Sequence, residues 1–203
     1  MKFKRDFLWI VLFGTLIGLN ETLLGGMHIP NKSILLSVIT LLFLSIARYL
    51  FPIIGSSLMI IAVASLFKIT DLGLMGCKLE SIVMLCTGFE IFASLFIRKK
   101  NLQSYRFPIV SFISAIVAFS MFGLMQRYVV GNEFWFGPKF TEYLFIKGPI
   151  TGVVSAGISF LGVMAIKPMI AWYNKVIVQR VAIINSIVGV AIVAIWVLGY
   201  FTA

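Results

Sequence analysis

Residues 98–106 read Arg98-Lys99-Lys100-Asn101-Leu102-Gln103-Ser104-Tyr105-Arg106, four basic side chains in nine positions, with apolar runs on either side at 80–97 and 107–126. A helix needs ~20 mostly apolar residues to cross the ~30 Å hydrocarbon core of a bilayer, so each flanking run is long enough to span. Basic residues gather in cytoplasmic loops. The stretch therefore reads as an inner loop joining two membrane helices, and it sets the sides for the rest of the chain.

Working outward, further apolar runs lie at 7–26, 33–51, 53–69, 148–167 and 182–201. Pro52 separates the second span from the third and makes a tight helical hairpin there, because proline disfavours helix at the residue before it. Pro108 and Pro149 open the fifth and sixth spans, where the missing N–H costs little, and Pro168 closes the sixth. With the N-terminus inside, eleven of the seventeen Lys and Arg residues fall on the inner side. The other six, Lys32, Lys68, Lys78, Arg127, Lys139 and Lys147, fall outside. This bias, with Trp and Tyr near both boundaries, predicts an all-α, polytopic integral membrane bundle of about seven helices, N-terminus in and C-terminus out. Residues 1–203 form a single membrane domain in this reading. The start Met1-Lys2-Phe3-Lys4-Arg5 is followed by a long apolar run without an Ala-x-Ala site, which favours an uncleaved first span over a signal peptide.

Composition excludes several classes. The chain is 61% hydrophobic and 12% charged, far from the soluble average of about half apolar and a quarter charged. Seven spans leave no room for a sizeable soluble catalytic domain. The net charge of +10 is dispersed among apolar segments, so it serves topology and lipid headgroups, and no nucleic-acid partner is expected. Cys77 and Cys86 make no disulfide framework. His28 is the only histidine, too few for a multi-haem cytochrome. P-loop, HExxH, GxSxG and CxxC motifs are absent, so no enzyme activity, metal or cofactor is expected.

Ionisable residues within the bilayer mark functional sites by default. Arg48 and Lys167 lie near the inner boundary, where they can snorkel as anchors. Glu80 suits the positive N-terminus of the fourth span. Glu90, ten residues into that span, is placed near the midplane as a ligand contact, proton site or buried polar contact. Glu21, beside Asn20, lies in the outer third of the first span. Asn20, Glu21, His28, Lys68, Asp71, Gln126 and Arg127 converge on the outer side, where an externally open pocket would need polar groups. Asn20, Glu21, Lys68, Glu90 and Gln126 are the candidate ligand-binding residues. The gap 127–147, with Phe134-Trp135-Phe136, reads as an interfacial anchor or a lid.

Small residues at spacing four set close packing between helices in lipid. Gly14 and Gly18 line one face of the first span, and Gly148, Gly152 and Ala156 one face of the sixth. Such faces serve packing within the bundle or docking of membrane partner subunits. With its size, basic N-terminus, short loops and the Gly14/Gly18 stripe, the chain resembles the substrate-binding membrane subunits (S components) of energy-coupling factor importers. The resemblance implies an outward-facing ligand site, a coupling subunit on the first helix and a prokaryotic cytoplasmic membrane. Those subunits usually have six spans with both ends inside, which differs from the topology counted here. The expected function is binding and translocation of a small solute. The alternative is a non-catalytic accessory subunit of a larger membrane complex.

Overall fold

The computed structural model describes the backbone of residues 2–27, 29–69, 75–97, 103–131 and 133–202, with side chains described outside 2–6, 25–26, 67–69, 75–78, 134, 169–184 and 199–202. Among these residues there is no strand. The order is α1 (Lys2–Gly26), α2 (Lys32–Leu50), α3 (Ser56–Ile69), α4 (Met75–Phe96) and α5 (Arg106–Tyr128). A 3₁₀ turn (Glu133–Trp135), α6 (Pro138–Glu142), a π-helical turn (Tyr143–Lys147) and α7 (Gly148–Thr202) follow. Five stretches are long and apolar enough to cross a membrane: Phe7–Leu24, Lys32–Leu50, Leu79–Phe96, Arg106–Tyr128 and Pro138–Pro168. Two shorter apolar helical stretches cover Ser56–Leu66 and Asn185–Leu198.

The helices are apolar around most of their circumference, the pattern of elements that face either a core or lipid. α2 is the central element. It touches α1, α3, α4, α5 and α7, which pack against one another in a ring around it. Its side chains Leu41, Leu44 and Ala47 are buried with Ile17, Ile60, Phe89 and Val110 from the surrounding helices. The outside of the ring is covered by exposed Leu95, Ile109, Met121, Val153, Leu161 and Val190. An apolar surface this continuous is incompatible with water and suited to lipid.

Sequence chemistry sets the turns. Asn31 takes the left-handed conformation (φ 56°) just before α2, as asparagine tolerates. Between α2 and α3 the chain turns through Phe51-Pro52-Ile53-Ile54-Gly55, and Gly55 adopts φ 86°, a conformation that glycine reaches without strain. α3 is short, 14 residues or about 21 Å at 1.5 Å per residue. The Ser56 and Ser57 side chains at its start are buried.

α7 spans both segments expected at 148–167 and 182–201. Its first part runs antiparallel to α5, with Gly148 on Phe119, Gly152 on Phe112, and Ser159 bonded to Ser111. A straight helix would set Trp196 about 55 Å along the axis from Ser159. Yet Trp196 Nε1 donates to Thr15 Oγ1 at 3.3 Å, and Ser159 bonds Ser45 at 3.2 Å. Thr15 and Ser45 sit at similar depths, 11 residues before Gly26 and 13 after Lys32. α7 must therefore fold back between Val163 and Val188. Pro168, which removes a backbone donor and clashes with the preceding turn, lies in this interval.

The small-residue faces are filled from within. A Cβ on Gly14 would stand 2.6 Å from Val63 Cβ and 2.7 Å from the Ile60 carbonyl. Gly14→Ala is expected to push α3 away and lower stability by about 1–3 kcal/mol. Gly157, with nothing within 4 Å, is expected to accept alanine within about 0.5 kcal/mol. Thermal unfolding of both variants in detergent checks this, and equal melting temperatures would refute the close α1–α3 contact.

Candidate functional site

Two polar sites lie at opposite ends of the bundle. At the α1–α2 end, a cavity of about 260 Å³ opens between four helices and the segment after α5. α1 contributes Glu21; α2 contributes Lys32, Ser33, Leu36 and Ser37; α4 contributes Ser81 and Leu85; α5 contributes Ala118, Phe119 and Phe122. Trp135 and Tyr143 complete the lining. Glu21 is only 6% exposed although it is a carboxylate. It lies within electrostatic reach of the buried Cys86.

The roof is an aromatic assembly. Trp135 meets Tyr143 edge-on at 4.7 Å between ring centroids and Phe122 edge-on at 5.4 Å, and Tyr143 stacks on Phe119 at 5.4 Å. Such edge-to-face and offset contacts are favoured by ring quadrupoles. Two cations brace the assembly from the far side. Arg127 lies over Phe140 at 4.8 Å and Phe136 at 5.4 Å, and Lys147 lies over Tyr143 at 4.8 Å while pairing with Glu142 at 3.2 Å. Gly123 leaves room for the Phe140 ring, whose nearest atom would be 3.4 Å from a Cβ there. The 133–147 segment is thus folded over α5 as part of the cavity wall. The segment lines the cavity through Trp135 and Tyr143 and keeps Phe136 and Phe145 exposed, so it has features of both sequence-based options, an anchor at the membrane surface and a lid.

Below the cavity, hydroxyls continue into the bundle. Ser33, Ser37 and Thr40 follow one another on one face of α2. Ser114 lies one turn below Ala118 on α5. The Thr40 and Ser114 hydroxyls are buried and without a hydrogen-bond partner. Deeper still, Ser45, Ser111 and Ser159 tie α2, α5 and α7 together, with Oγ–Oγ distances of 3.1, 3.2 and 2.9 Å. Ser45 and Ser111 both donate to Ser159, and the cluster acts as polar glue within an apolar bundle.

At the other end, the Glu90 carboxylate accepts from the backbone N–H of Gly55 at 2.7 Å and of Ser57 at 3.1 Å. It also accepts from Arg48 Nη1 at 3.2 Å. Arg48 further donates to the Ile53 carbonyl, and it lies 3.4 Å from Ser56 Oγ. Glu90 is 6% exposed and Arg48 2%. α4 thereby supplies the capping carboxylate that α3 lacks, where free N–H groups and the helix dipole both favour a negative charge. One sequence-based expectation changes here. Arg48 does not snorkel as an anchor. It is buried, with the Ile53 carbonyl and the Glu90 carboxylate around its guanidinium. Glu90 lies six residues from the end of α4 at Phe96, about 9 Å. That end is level with the start of α5, since Arg106 donates to the Phe96 carbonyl at 2.7 Å.

The candidate residues are therefore divided. Glu21 lines the cavity. Asn20, next to it, does not, and its buried Nδ2 has no hydrogen-bond partner. Gln126 is fully buried and donates to Glu80 Oε2 at 2.7 Å, joining α5 to α4 outside the cavity lining. Glu90 belongs to the opposite end. The Lys68 side chain, His28 and Asp71 lie outside the described residues. Sequence reasoning missed Lys32, Ser37, Ser81, Trp135 and Tyr143 as wall residues. The serine spacing along α2 was the available signal. Among the described residues no group of His, Cys, Asp and Glu could hold a metal ion. The chain matches no protein family, no characterised protein and no solved structure.

Removing one partner of a buried ion pair strands the other charge. Glu90→Gln and Arg48→Met are each expected to cost about 3–5 kcal/mol. The double variant should cost less than the two combined. Additive losses in a double-mutant cycle would show that the two groups do not act as a pair. Thr40→Val, which replaces an unpartnered hydroxyl with a methyl group, is expected to leave stability unchanged or raise it. A fall of more than about 1 kcal/mol would show that the hydroxyl has a partner.

Proposed function

We propose that this chain is a membrane transport subunit that binds a small solute in the Glu21 cavity and helps to move it across the bilayer. The observation that carries the proposal is the cavity itself, a walled space at one end of an apolar bundle with a buried carboxylate in its side. Ionisable groups within membrane-spanning segments mark functional sites by default. The roof segment adds a covering that can exclude water from a bound solute.

The proposal includes seven crossings with the N-terminus inside and the α1–α2 end outside, in a prokaryotic cytoplasmic membrane. Lys and Arg counts favour this orientation. The reversal of α7 supports two crossings from that element, and α3 would cross as a short helix whose inner end is recessed. The cavity would then face outward, as in the energy-coupling factor subunits that the chain resembles. Coupling partners remain part of the proposal, but on another face. Gly14 already holds α3, and Gly148 and Gly152 hold α5. The accessory-subunit alternative, which relied on those faces, has no specific observation in its favour. Binding without catalysis is proposed.

Native mass spectrometry of the protein purified in mild detergent tests this. A small molecule is expected to remain bound to the wild-type chain. Ala118→Phe, which fills the cavity, should reduce its occupancy at least tenfold while the melting temperature stays near that of the wild type. An unliganded wild type, or a variant that retains the molecule equally, would remove the cavity from the mechanism.

A further inference from the structure

Arg127, in the last turn of α5, is held by rings and by no oxygen. Its guanidinium carbon lies 4.8 Å from the centroid of Phe140, 5.2 Å from that of Tyr128 and 5.4 Å from that of Phe136. Rings at this distance attract the charge. A guanidinium also carries five N–H donors, which rings do not satisfy as oxygen acceptors do. Among the described residues Arg127 has no ion pair and no hydrogen bond. Its Nε is buried without a partner, whereas its two Nη groups are open to the surface. Arg106, at the other end of the same helix, is the contrast. It lies 5.9 Å from the Tyr105 ring and also donates to the Phe96 carbonyl at 2.7 Å.

Carboxylates stand close to Arg127 in the fold, yet they are used elsewhere. Glu80 accepts from Gln126, the residue before it, and Glu142 pairs with Lys147 at 3.2 Å. Glu133, exposed in the 3₁₀ turn, forms no ion pair with Arg127. The cation is thus left for an acceptor from outside the chain.

The surroundings indicate which. Arg127 and Tyr128 close the span Arg106–Tyr128. Tyr128, Val129 and Phe136 beside the guanidinium are exposed, as are Phe145 and Ile146 further along the segment. Cations and aromatic rings at the end of a span sit at the level of lipid headgroups. A free anion would match the guanidinium and leave the apolar side chains bare. A phospholipid supplies phosphate oxygens for the one and an acyl chain for the others. Guanidinium and phosphate form charge-assisted, bidentate pairs.

We infer that Arg127 and the rings around it form a phospholipid site, in which the guanidinium holds the phosphate of one lipid and an acyl chain lies along Tyr128 and Phe136. Phe136 and Phe140 belong to the segment that roofs the cavity, so a lipid held here ties that roof to the end of α5. The inference needs only the membrane residence of the α5 span and is independent of solute binding.

Native mass spectrometry of the full chain, delipidated in detergent, tests it with two added lipids. Dioleoylphosphatidylglycerol and dioleoylglycerol share their acyl chains, and only the first has a phosphate. The wild type is expected to retain the phosphatidylglycerol about tenfold more tightly. Arg127→Gln should abolish that preference, and Arg127→Lys, which keeps the charge without the fork, should retain part of it. Arg106→Gln should leave it unchanged. Equal retention of both lipids by the wild type overturns the inference without reference to any variant. So does an Arg127→Gln chain that melts like the wild type and keeps the preference. Equal losses in Arg127→Gln and Arg106→Gln would show a diffuse charge effect and overturn it too. Inorganic phosphate at ~10 mM, well above the anion affinity of a single exposed guanidinium, is expected not to displace the lipid. Displacement would make the site one for a free anion, and the lipid assignment would fall.

Discussion

The Glu90 carboxylate holds the α2–α3 end of the bundle together. Three elements meet on it: the turn at Gly55, the first turn of α3 at Ser57, and Arg48 near the end of α2. Without it, the Gly55 and Ser57 N–H groups at the start of α3 would lose their acceptor beside a buried guanidinium. With it, a helix of only 14 residues can stand in a bundle of longer ones. The position of α3 in turn sets α1, because Gly14 packs directly on Ile60 and Val63. α1 carries Glu21 into the cavity at the opposite end. A polar contact at one end thus governs the geometry of a site about two helical turns and more away, through rigid helices and one close crossing.

The helical, membrane-like character of the chain was legible because it depends on local quantities. Apolar run length, prolines at run edges and the sparing use of charge all survive averaging along the sequence. Glu90 was also legible as a charge lacking an ordinary explanation. Its partner was not, for a definite reason. Depth counted along the sequence takes no account of neighbours across the bundle. The Ile53 carbonyl and the Glu90 carboxylate gather around the Arg48 guanidinium and bury a residue only two positions from the end of its helix.

The cavity was half legible for a related reason. Glu21 stood out because it is an isolated carboxylate in an apolar helix. Gln126 stood out for similar reasons, yet its partner is Glu80, a residue that helix-end electrostatics had already explained separately. Pairing between distant positions leaves no trace in a single sequence. Trp135 and Tyr143 fit an interfacial belt by composition, and only the fold of 133–147 across α5 turns them toward Glu21. Lys32 looked like one outer positive charge among six.

The reversal of α7 has a consequence for how the bundle is made. Thr15 receives its hydrogen bond from Trp196, 181 residues later in the chain. At a synthesis rate of 5–20 residues per second, α1 is complete roughly 10–40 s before its last neighbour emerges. During that interval its α7-facing side has only lipid, or a chaperoning protein, to cover it. The ring around α2 therefore closes only once the last part of α7 has emerged.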